Sequence, residues 1–136
     1  PICAIRPTGI YGIAKPLENS KWFKLIENIA RGVDVEVKSG GKEVHVDDVA
    51  RAIELLLVSD GIEGQSYSCY DRYISEFDVA NVAKQICSSS SSIAGGQKRP
   101  KHEIDVTKIK ELGMEFGGSD RLYEMVESMV KQIRLR

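Results

Sequence analysis

Short segments with the hydrophobic pattern of a β-strand alternate along this chain with segments of helical periodicity. Residues 2–5 form an almost continuous apolar run, typical of a strand that is buried on both faces of a parallel sheet. Residues 33–37 alternate apolar and charged side chains, which indicates a half-exposed strand. Strands that alternate with helices form layered sheets, so the sequence predicts an α/β fold. The strands are too few for a complete doubly wound sheet.

Amphipathic helices account for most of the remaining chain. Four segments carry apolar residues at helical spacing, and a short further helix is expected over 107–113. Ser75 and Asp78 have the spacing of a capping box at the start of one of them. The stretch 88–100 contains a serine- and glycine-rich run without periodicity, which favours a flexible loop. We therefore expect a single domain over 1–136 with about four to five helices.

A glycine turn and a short strand precede the second of these helices. Residues 39–41 are predicted as the turn and residues 44–46 as the strand. Asp47 is the expected N-cap, because its carboxylate can accept a backbone N–H of the first helical turn. Ile53 and Leu57 lie on the apolar stripe of this helix, so we expect both side chains to face the core.

Charge and hydropathy argue against two classes of partner. The formal net charge is -1, so the chain has no global attraction to nucleic acid or to an anionic membrane. The basic cluster 98–101 has no aromatic residues interleaved with it, which favours a solvated loop over a nucleic-acid site. No apolar run approaches the roughly 20 residues that cross a bilayer. We expect no nucleic acid and no membrane among the partners.

The cysteines and the first residue bear on where the protein works and on how much of it is present. Cys3, Cys69 and Cys87 are an odd set at wide spacing, which argues against a disulfide framework. This pattern is consistent with a reducing compartment, and we expect a cytoplasmic location. The chain opens on Pro1 and enters an apolar strand at once, without a Met or a polar lead-in. We therefore expect a fragment of a longer protein.

Two sequence motifs stand at places where α/β proteins bind ligands. The first, Arg-Pro-Thr-Gly-Ile-Tyr-Gly, covers residues 6–12 and follows the first strand. In open α/β sheets, ligands bind beyond the carboxyl ends of the strands. By itself, this motif is equally consistent with a plain turn that exposes Tyr11. The second motif, Val-His-Val-Asp-Asp-Val-Ala-Arg-Ala, covers residues 44–52, where a strand runs into a helix.

The two motifs together resemble the extended short-chain dehydrogenase/reductases, the NAD-dependent epimerase/dehydratase group. That family has an Arg-Pro-x-x-x-Tyr-Gly segment and, some tens of residues later, a His-Val-Asp-Asp-Val-Ala-x-Ala segment that enters a helix. Residues 64–69, the pair Ser75-Glu76 and residues 104–113 are similar to three further segments of the family. The resemblance covers nearly the whole chain and implies the C-terminal, substrate-binding part of a Rossmann-type fold.

The resemblance implies an enzyme whose N-terminal Rossmann half lies outside this sequence. In the family, that half carries the Gly-x-x-Gly-x-x-Gly loop for the cofactor pyrophosphate, and also the serine and the Tyr-x-x-x-Lys pair that transfer protons. The parent enzyme would use NAD or NADP and act on a nucleotide sugar or a related carbonyl compound. This part alone is expected to be inactive, with no bound cofactor and no catalytic residue of its own.

Tyr11 and Lys15 match Tyr-x-x-x-Lys literally. The catalytic pair of the family lies on a helix, with its two side chains one turn apart. Pro16 follows Lys15 directly and disfavours helical geometry there. We therefore expect Tyr11 to take the family's later, substrate-side position. A compact enzyme that uses Tyr11 and Lys15 directly is the weaker alternative.

The resemblance also implies binding residues in the first motif. Pro7, Thr8 and Ile10 match the turn that backs the nicotinamide ring of the cofactor and offers backbone groups to its carboxamide. Tyr11 and Gly12 match the edge of the substrate pocket.

The second motif contributes the other candidate contacts, Lys42 and His45. The family often has an arginine four residues before its His-Val segment, where it binds the diphosphate of a nucleotide sugar. Gly41 takes that position here, with Lys42 next to it. Lysine binds phosphate as a point charge but lacks the bidentate fork of arginine. His45 and Asp47 could share a metal ion, but local capping explains both residues equally well, so we expect no metal.

A second class of function stays open, namely a non-catalytic interaction or scaffold module with the same fold. In both cases, apolar surface would be exposed where the Rossmann half of the family docks, and this surface would favour a homo-oligomer. The expected partners are therefore the N-terminal half, a small-molecule substrate and a second copy of the chain.

Overall fold

Seven short strands and five helices follow one another in the computed structural model, which describes residues 1–136. The strands are β1 Ala4–Pro7, β2 Gly9–Tyr11, β3 Val35–Glu36, β4 Gly40–His45, β5 Ser66–Cys69, β6 Arg72–Ser75 and β7 Ile93–Ala94. The helices are α1 Phe23–Ala30, α2 Val46–Val58, α3 Glu76–Cys87, α4 Thr107–Lys110 and α5 Gly118–Arg134, with a 3-10 turn at Leu17–Asn19. The predicted α/β class with few short strands is confirmed.

The strands form three small sheets. β1 and β5 pair in parallel. β2 lies parallel to β4, with Tyr11 opposite His45, and β4 also pairs antiparallel with β6. β3 and β7 form a third, parallel pair. Because β5 is the only neighbour of β1, alternate backbone N–H and C=O groups of β1 point towards an open edge.

Two hydrophobic cores hold these elements together. The larger core packs the apolar stripes of α1, α3 and α5 against one another; it includes Ile26, Ile29, Val79, Ala83, Val126 and Met129. The smaller core lies between α2, β5 and α4; it includes Val44, Ala52, Leu56, Tyr67 and Ile109. Burial of these stripes stabilises helices that would be too short to persist alone in water. None of the helices combines the length and the apolar character needed to cross a membrane.

The first strand differs from its prediction in position and burial. β1 begins at Ala4, and the side chain of Ile2 is 79% exposed. Ile5 is only half-buried. The expectation of a strand buried on both faces is wrong, because only the face of β1 that carries Cys3 and Ile5 packs, in part, against the smaller core, while Ala4 and Arg6 on the other face are exposed.

The glycine pair before the second motif belongs to a strand. Gly40 and Gly41 were predicted as part of a turn, but they lie in β4 opposite Ser75 and Ile74. The turn prediction is wrong because β6, which the sequence pattern did not reveal, supplies the pairing partner for these glycines.

Helix α2 begins at Val46, two residues earlier than expected, and its N-cap is His45. Nδ1 of His45 accepts a hydrogen bond from the Asp47 N–H at 3.0 Å, so Asp47 lies inside the first turn and is not the cap. Ile53 and Leu57 are exposed, and the prediction that they face the core is wrong. The smaller core covers only one side of the wide apolar stripe of α2.

The capping box predicted at the start of α3 is confirmed. The Ser75 hydroxyl accepts a hydrogen bond from the Phe77 N–H, and the Asp78 carboxylate accepts one from the Ser75 N–H at 3.1 Å. These two bonds satisfy donors that have no partner inside the helix.

The segment 88–100, expected to be a flexible loop, contains strand β7 and a buried serine, Ser91. The hydroxyl of Ser89 donates a hydrogen bond to the Ile29 carbonyl at the end of α1, at 2.6 Å. The segment therefore packs against the larger core, and its flexibility stays a prediction.

Candidate functional site

The parallel strands β2 and β4 end side by side, and the residues beyond them form the candidate site. Their last residues, Tyr11 and His45, lie opposite each other in the ladder. Gly12 and Val46 continue the two chains, and a Cβ at Gly12 would lie 2.6 Å from the Val46 side chain. Only glycine allows this approach. The edge that these residues form is the one at which open α/β sheets bind ligands.

His45 is buried, and two contacts set the orientation of its ring. Since Nδ1 accepts the Asp47 N–H, the proton of the neutral ring is assigned to Nε2. The ring meets the ring of Tyr11 edge-on, with 5.1 Å between the centroids. Burial lowers the pKa of His45, which favours the neutral ring.

A cavity of about 250 Å³ separates His45 from helix α5. Side chains of α2 and α5 complete its wall, among them Asp47, Arg121, Glu124 and Ser128. The neutral imidazole and the Ser128 hydroxyl are uncharged hydrogen-bonding groups that suit a carbonyl or hydroxyl oxygen of a small molecule.

Tyr11 supports this edge from the core. Its side chain is 1% exposed, and its ring packs 5.4 Å from the ring of Trp22. Burial and the nearby Asp71 carboxylate raise the pKa of Tyr11 well above its ordinary value, so the phenol is neutral at pH 7. Residues 11–15 are not helical, as the proline after Lys15 predicted. Tyr11 and Lys15 therefore do not share a helix face.

The alternation of β4 decides which side chains face this site. Gly41, Glu43 and His45 share one face of the strand, while Lys42 and Val44 share the other. Val44 lies in the smaller core, and Lys42 stands opposite Tyr73 of β6. The structure therefore does not bring Lys42 together with His45 and Gly12.

Glu43 and Lys21 belong to the site and were missed by the sequence analysis. Glu43 is 3% exposed, and both of its carboxylate oxygens accept hydrogen bonds from the Lys21 ammonium, the longer at 2.7 Å. A Cβ at Gly9 would displace the Glu43 carboxylate from its present position. The period of two that places Glu43 beside His45 could have revealed Glu43. No local signal connects Lys21 to β4.

The residues predicted to contact the cofactor lie at the outer side of the β1–β2 connection. Pro7 and Ile10 are exposed, and with the exposed Ile13 they form apolar surface. The Thr8 hydroxyl is buried without a hydrogen-bond partner, although the Thr8 N–H donates to the Cys69 carbonyl at 3.1 Å. Ile10 and Ile13 line one shallow cavity, and apolar surface of this kind could pack against a flat ring such as a nicotinamide, whereas the buried Thr8 hydroxyl does not reach this surface.

Two carboxylates fasten α5 to the site. Asp48, which is buried, accepts a hydrogen bond from the Gly117 N–H at 2.9 Å, and Asp71 accepts one from the Gly118 N–H at 3.0 Å. Arg121 lies 3.5 Å from Asp48. Burial raises the pKa of Asp71, and the charge of Asp48 adds to this effect. These bonds hold the start of α5 at the rim of the His45 cavity.

An apolar groove of about 320 Å³ runs along the other side of the molecule, between β1 and α2. Its walls are almost entirely hydrophobic: Ile2, Cys3, Ile5, Ile53, Leu56, Leu57 and Ile62. We call this surface the β1–α2 face. It adjoins the open edge of β1 and contains the residues whose exposure contradicted the sequence prediction.

Comparison with solved structures shows that this chain has the fold of about half of several larger proteins. UDP-glucose 4-epimerase from Thermotoga maritima, solved with UDP-glucose, matches 98% of this chain at 23% identity and a TM-score of 0.71. RMD from Pseudomonas aeruginosa, solved with NADPH, matches 98% at 14% identity and a TM-score of 0.75. dTDP-glucose 4,6-dehydratase from Bacillus anthracis, solved with NAD, matches 100% at 17% identity and a TM-score of 0.69.

The chain spans just under half the length of these structures, 46%, 48% and 45% respectively. No protein-family model matches the sequence, and no curated protein matches it at a significant level. The predicted resemblance is confirmed at the level of the fold.

Proposed function

We propose that this chain is the substrate-side part of an NAD(P)-dependent epimerase, dehydratase or reductase that acts on a nucleotide sugar or a related carbonyl compound. The observation that carries the proposal is the match of nearly the whole chain to just under half of enzymes named for these reactions. The proton-transfer groups and the pyrophosphate loop would come from an N-terminal Rossmann half. The isolated chain would be inactive, and its free cysteines suit a cytoplasmic location.

The Rossmann half would dock on the β1–α2 face. A strand added beside β1 would pair with its open backbone edge, and apolar side chains would cover Ile53 and Leu57. An N-terminal half would thereby supply the covering layer that β1 and α2 lack in the isolated chain.

Within the assembled enzyme, Pro7, Thr8 and Ile10 would back the nicotinamide ring, which supplies hydride chemistry when bound. Gly12 and His45 would form the edge of the substrate pocket, where the Nε2–H of His45 can donate to a substrate oxygen. Tyr11 would hold the His45 ring in place from the core. Lys42, on the opposite face of β4, would contact only a ligand group that extends past the strand.

A stoichiometric titration of the chain with NADH, followed by calorimetry, tests the proposal. We expect weak or no binding, because the pyrophosphate loop is not among these residues. Tight binding would contradict the proposal that an N-terminal half supplies the pyrophosphate site of the cofactor. The reading frame upstream of Pro1 provides the second test. A Gly-rich strand–loop–helix followed by a helical Tyr-x-x-x-Lys is expected there.

A non-catalytic interaction module is the second candidate, and the β1–α2 face favours it, since an exposed apolar groove is typical of a protein-binding surface. An upstream reading frame without the Gly-rich loop and without the Tyr-x-x-x-Lys pair would decide for this candidate.

A further inference from the structure

We propose that Glu43, held by Lys21, makes the site select an uncharged carbonyl or hydroxyl compound and reject a nucleoside diphosphate derivative. This inference rests on the proposed function, because it names the substrate class of the same site. It uses the charged side chains that face the site to decide between a charged and an uncharged substrate.

Glu43 occupies the position on β4 from which a side chain can reach a ligand beside His45. Both side chains lie on the same face of the strand, two residues apart. The Glu43 carboxylate is buried, and it leaves no room for a Cβ at Gly9. A Cβ at Gly41 would lie 3.3 Å from the same carboxylate. An acidic group therefore stands between the two glycines, on the same face of β4 as His45.

Lys21, the cation nearest to Glu43, is already neutralised. Its ammonium group donates to both Glu43 oxygens. The Lys21 side chain also lies over the Trp22 ring, 5.4 Å from its centroid. The Lys21 ammonium has one further N–H to offer a phosphate, but its positive charge is already balanced by the buried Glu43 carboxylate, which would repel the phosphate at short range.

The backbone donors before β4 are also occupied by an internal acid. Glu76 accepts hydrogen bonds from the Lys38 N–H at 3.1 Å and from the Ser39 N–H at 2.9 Å. The Ser39 hydroxyl donates to the same carboxylate oxygen at 2.8 Å. Successive N–H groups of this kind form the usual concavity for a phosphate. Here the Glu76 carboxylate, whose pKa these bonds lower, already fills it.

The cation that lines the His45 cavity, Arg121, is paired as well. Arg121 lies 3.5 Å from both Asp47 and Asp48. The cavities along this edge are lined by four acidic and two basic side chains: Glu43, Glu76, Asp47 and Glu124 against Lys21 and Arg121. A diphosphate would add negative charge to a site that already has an excess of it. The neutral His45 ring and the Ser128 hydroxyl suit an uncharged oxygen instead.

The test titrates the 136-residue chain and its variants with inorganic pyrophosphate and with UDP. Binding is measured by NMR from the shifts of the Gly9 and Gly41 amide resonances. We expect no saturation of the wild-type chain at millimolar ligand. Glu43→Gln frees the Lys21 ammonium and should bind both probes at least about tenfold more tightly. The double variant Lys21→Met with Glu43→Gln should lose that gain.

Gly41→Arg keeps the ion pair and adds a cation on the same face, so it should also gain affinity at least about tenfold. This variant keeps the test decisive if Glu43→Gln does not fold. The proposal is overturned if neither variant gains affinity. It is also overturned if the wild-type chain binds UDP as tightly as Glu43→Gln does. This holds whether the UDP contacts Lys21 or Lys98, whose N–H donates a hydrogen bond to the Ser75 hydroxyl beside Glu76. The readout uses no nicotinamide cofactor and no turnover, so it is independent of the tests of the proposed function.

Discussion

His45 links helix formation to the chemistry of the site. The same nitrogen that caps α2 determines which nitrogen of the ring carries the proton. Since the ring also packs edge-on against Tyr11, it has little freedom to rotate. Protonation of Nδ1 would replace an acceptor by a donor and break the bond to the Asp47 N–H. The protonation state of His45 therefore affects both the start of α2 and the wall of the cavity.

The depressed pKa of His45 predicts how stability depends on pH. Burial is the main cause, and the positive charge of Arg121 adds to it, although Asp47, Asp48 and Glu124 oppose it. The unfolded chain then binds the His45 proton at a higher pH than the folded chain. Stability should fall as the pH drops from about 6.5, the ordinary value, to the lower folded pKa.

His45→Asn isolates this effect, because asparagine is also a preferred N-cap but does not titrate in this range. Urea unfolding at pH 7.5 and pH 5.5 should show a smaller loss of stability for the variant than for the wild-type chain. All other titrating groups, including His102, are common to both chains. Equal losses in the two proteins would contradict the prediction.

At the scale of elements, local periodicity predicted some parts well and long-range pairing decided the rest. The capping box of α3 lies within four residues, so the sequence around Ser75 was sufficient to find it. Strand β4 was not found in full, because Gly40 and Gly41 resemble a turn until β6 is known to lie beside them. Likewise, β7 is two residues long and depends on its pairing with β3.

The candidate site shows the same division. His45 and Gly12 were predictable, since each lies in a motif of contiguous residues. Lys21 contacts Glu43 across a separation of 22 residues, and no pattern in the sequence marks that pair. Glu43 shares the face of His45 because β4 extends back to Gly40, whereas the predicted strand at 44–46 ended before residue 43.

The β3–β7 pair yields a prediction about the segment 88–100. The N–H of Val35 donates to the Ser92 carbonyl at 3.0 Å, and the N–H of Val37 donates to the Ala94 carbonyl at 2.9 Å. In hydrogen exchange followed by NMR, both amides should exchange at least about tenfold more slowly than the exposed Gly96 amide. Exchange of all three at similar rates would show that the segment is a flexible loop.

Gly95→Ala and Gly96→Ala form a matched pair for this experiment. Gly95 has a φ of 101°, and a Cβ there would collide with the Val37 carbonyl oxygen. A Cβ at Gly96 would meet nothing within 4 Å. The Val37 amide should therefore lose its protection in Gly95→Ala and keep it in Gly96→Ala. Retained protection in both variants would contradict the structure of this segment.

At the scale of the whole molecule, the two hydrophobic cores leave the β1–α2 face uncovered. This apolar face lies beside the open edge of β1, which has no neighbouring strand. Apolar surface of this kind favours association with another protein surface. In a purified sample without the N-terminal half, only a second copy of the chain can cover this face. We therefore expect the isolated chain to self-associate.

Leu57→Asp tests this expectation, because Leu57 is 80% exposed and lines the β1–α2 face. The charge should be tolerated in the folded chain, with a loss in the free energy of unfolding of about 1 kcal/mol, since a carboxylate near the end of α2 opposes the helix dipole. It should disrupt association, since burying an unpaired carboxylate in an apolar interface is costly. In sedimentation velocity, the variant should sediment as a monomer at concentrations at which the wild-type chain forms a larger species.

Leu135→Asp is the matched control: Leu135 is 81% exposed but does not line the β1–α2 face. If both variants behave like the wild-type chain, or if Leu135→Asp also dissociates it, another surface mediates the association.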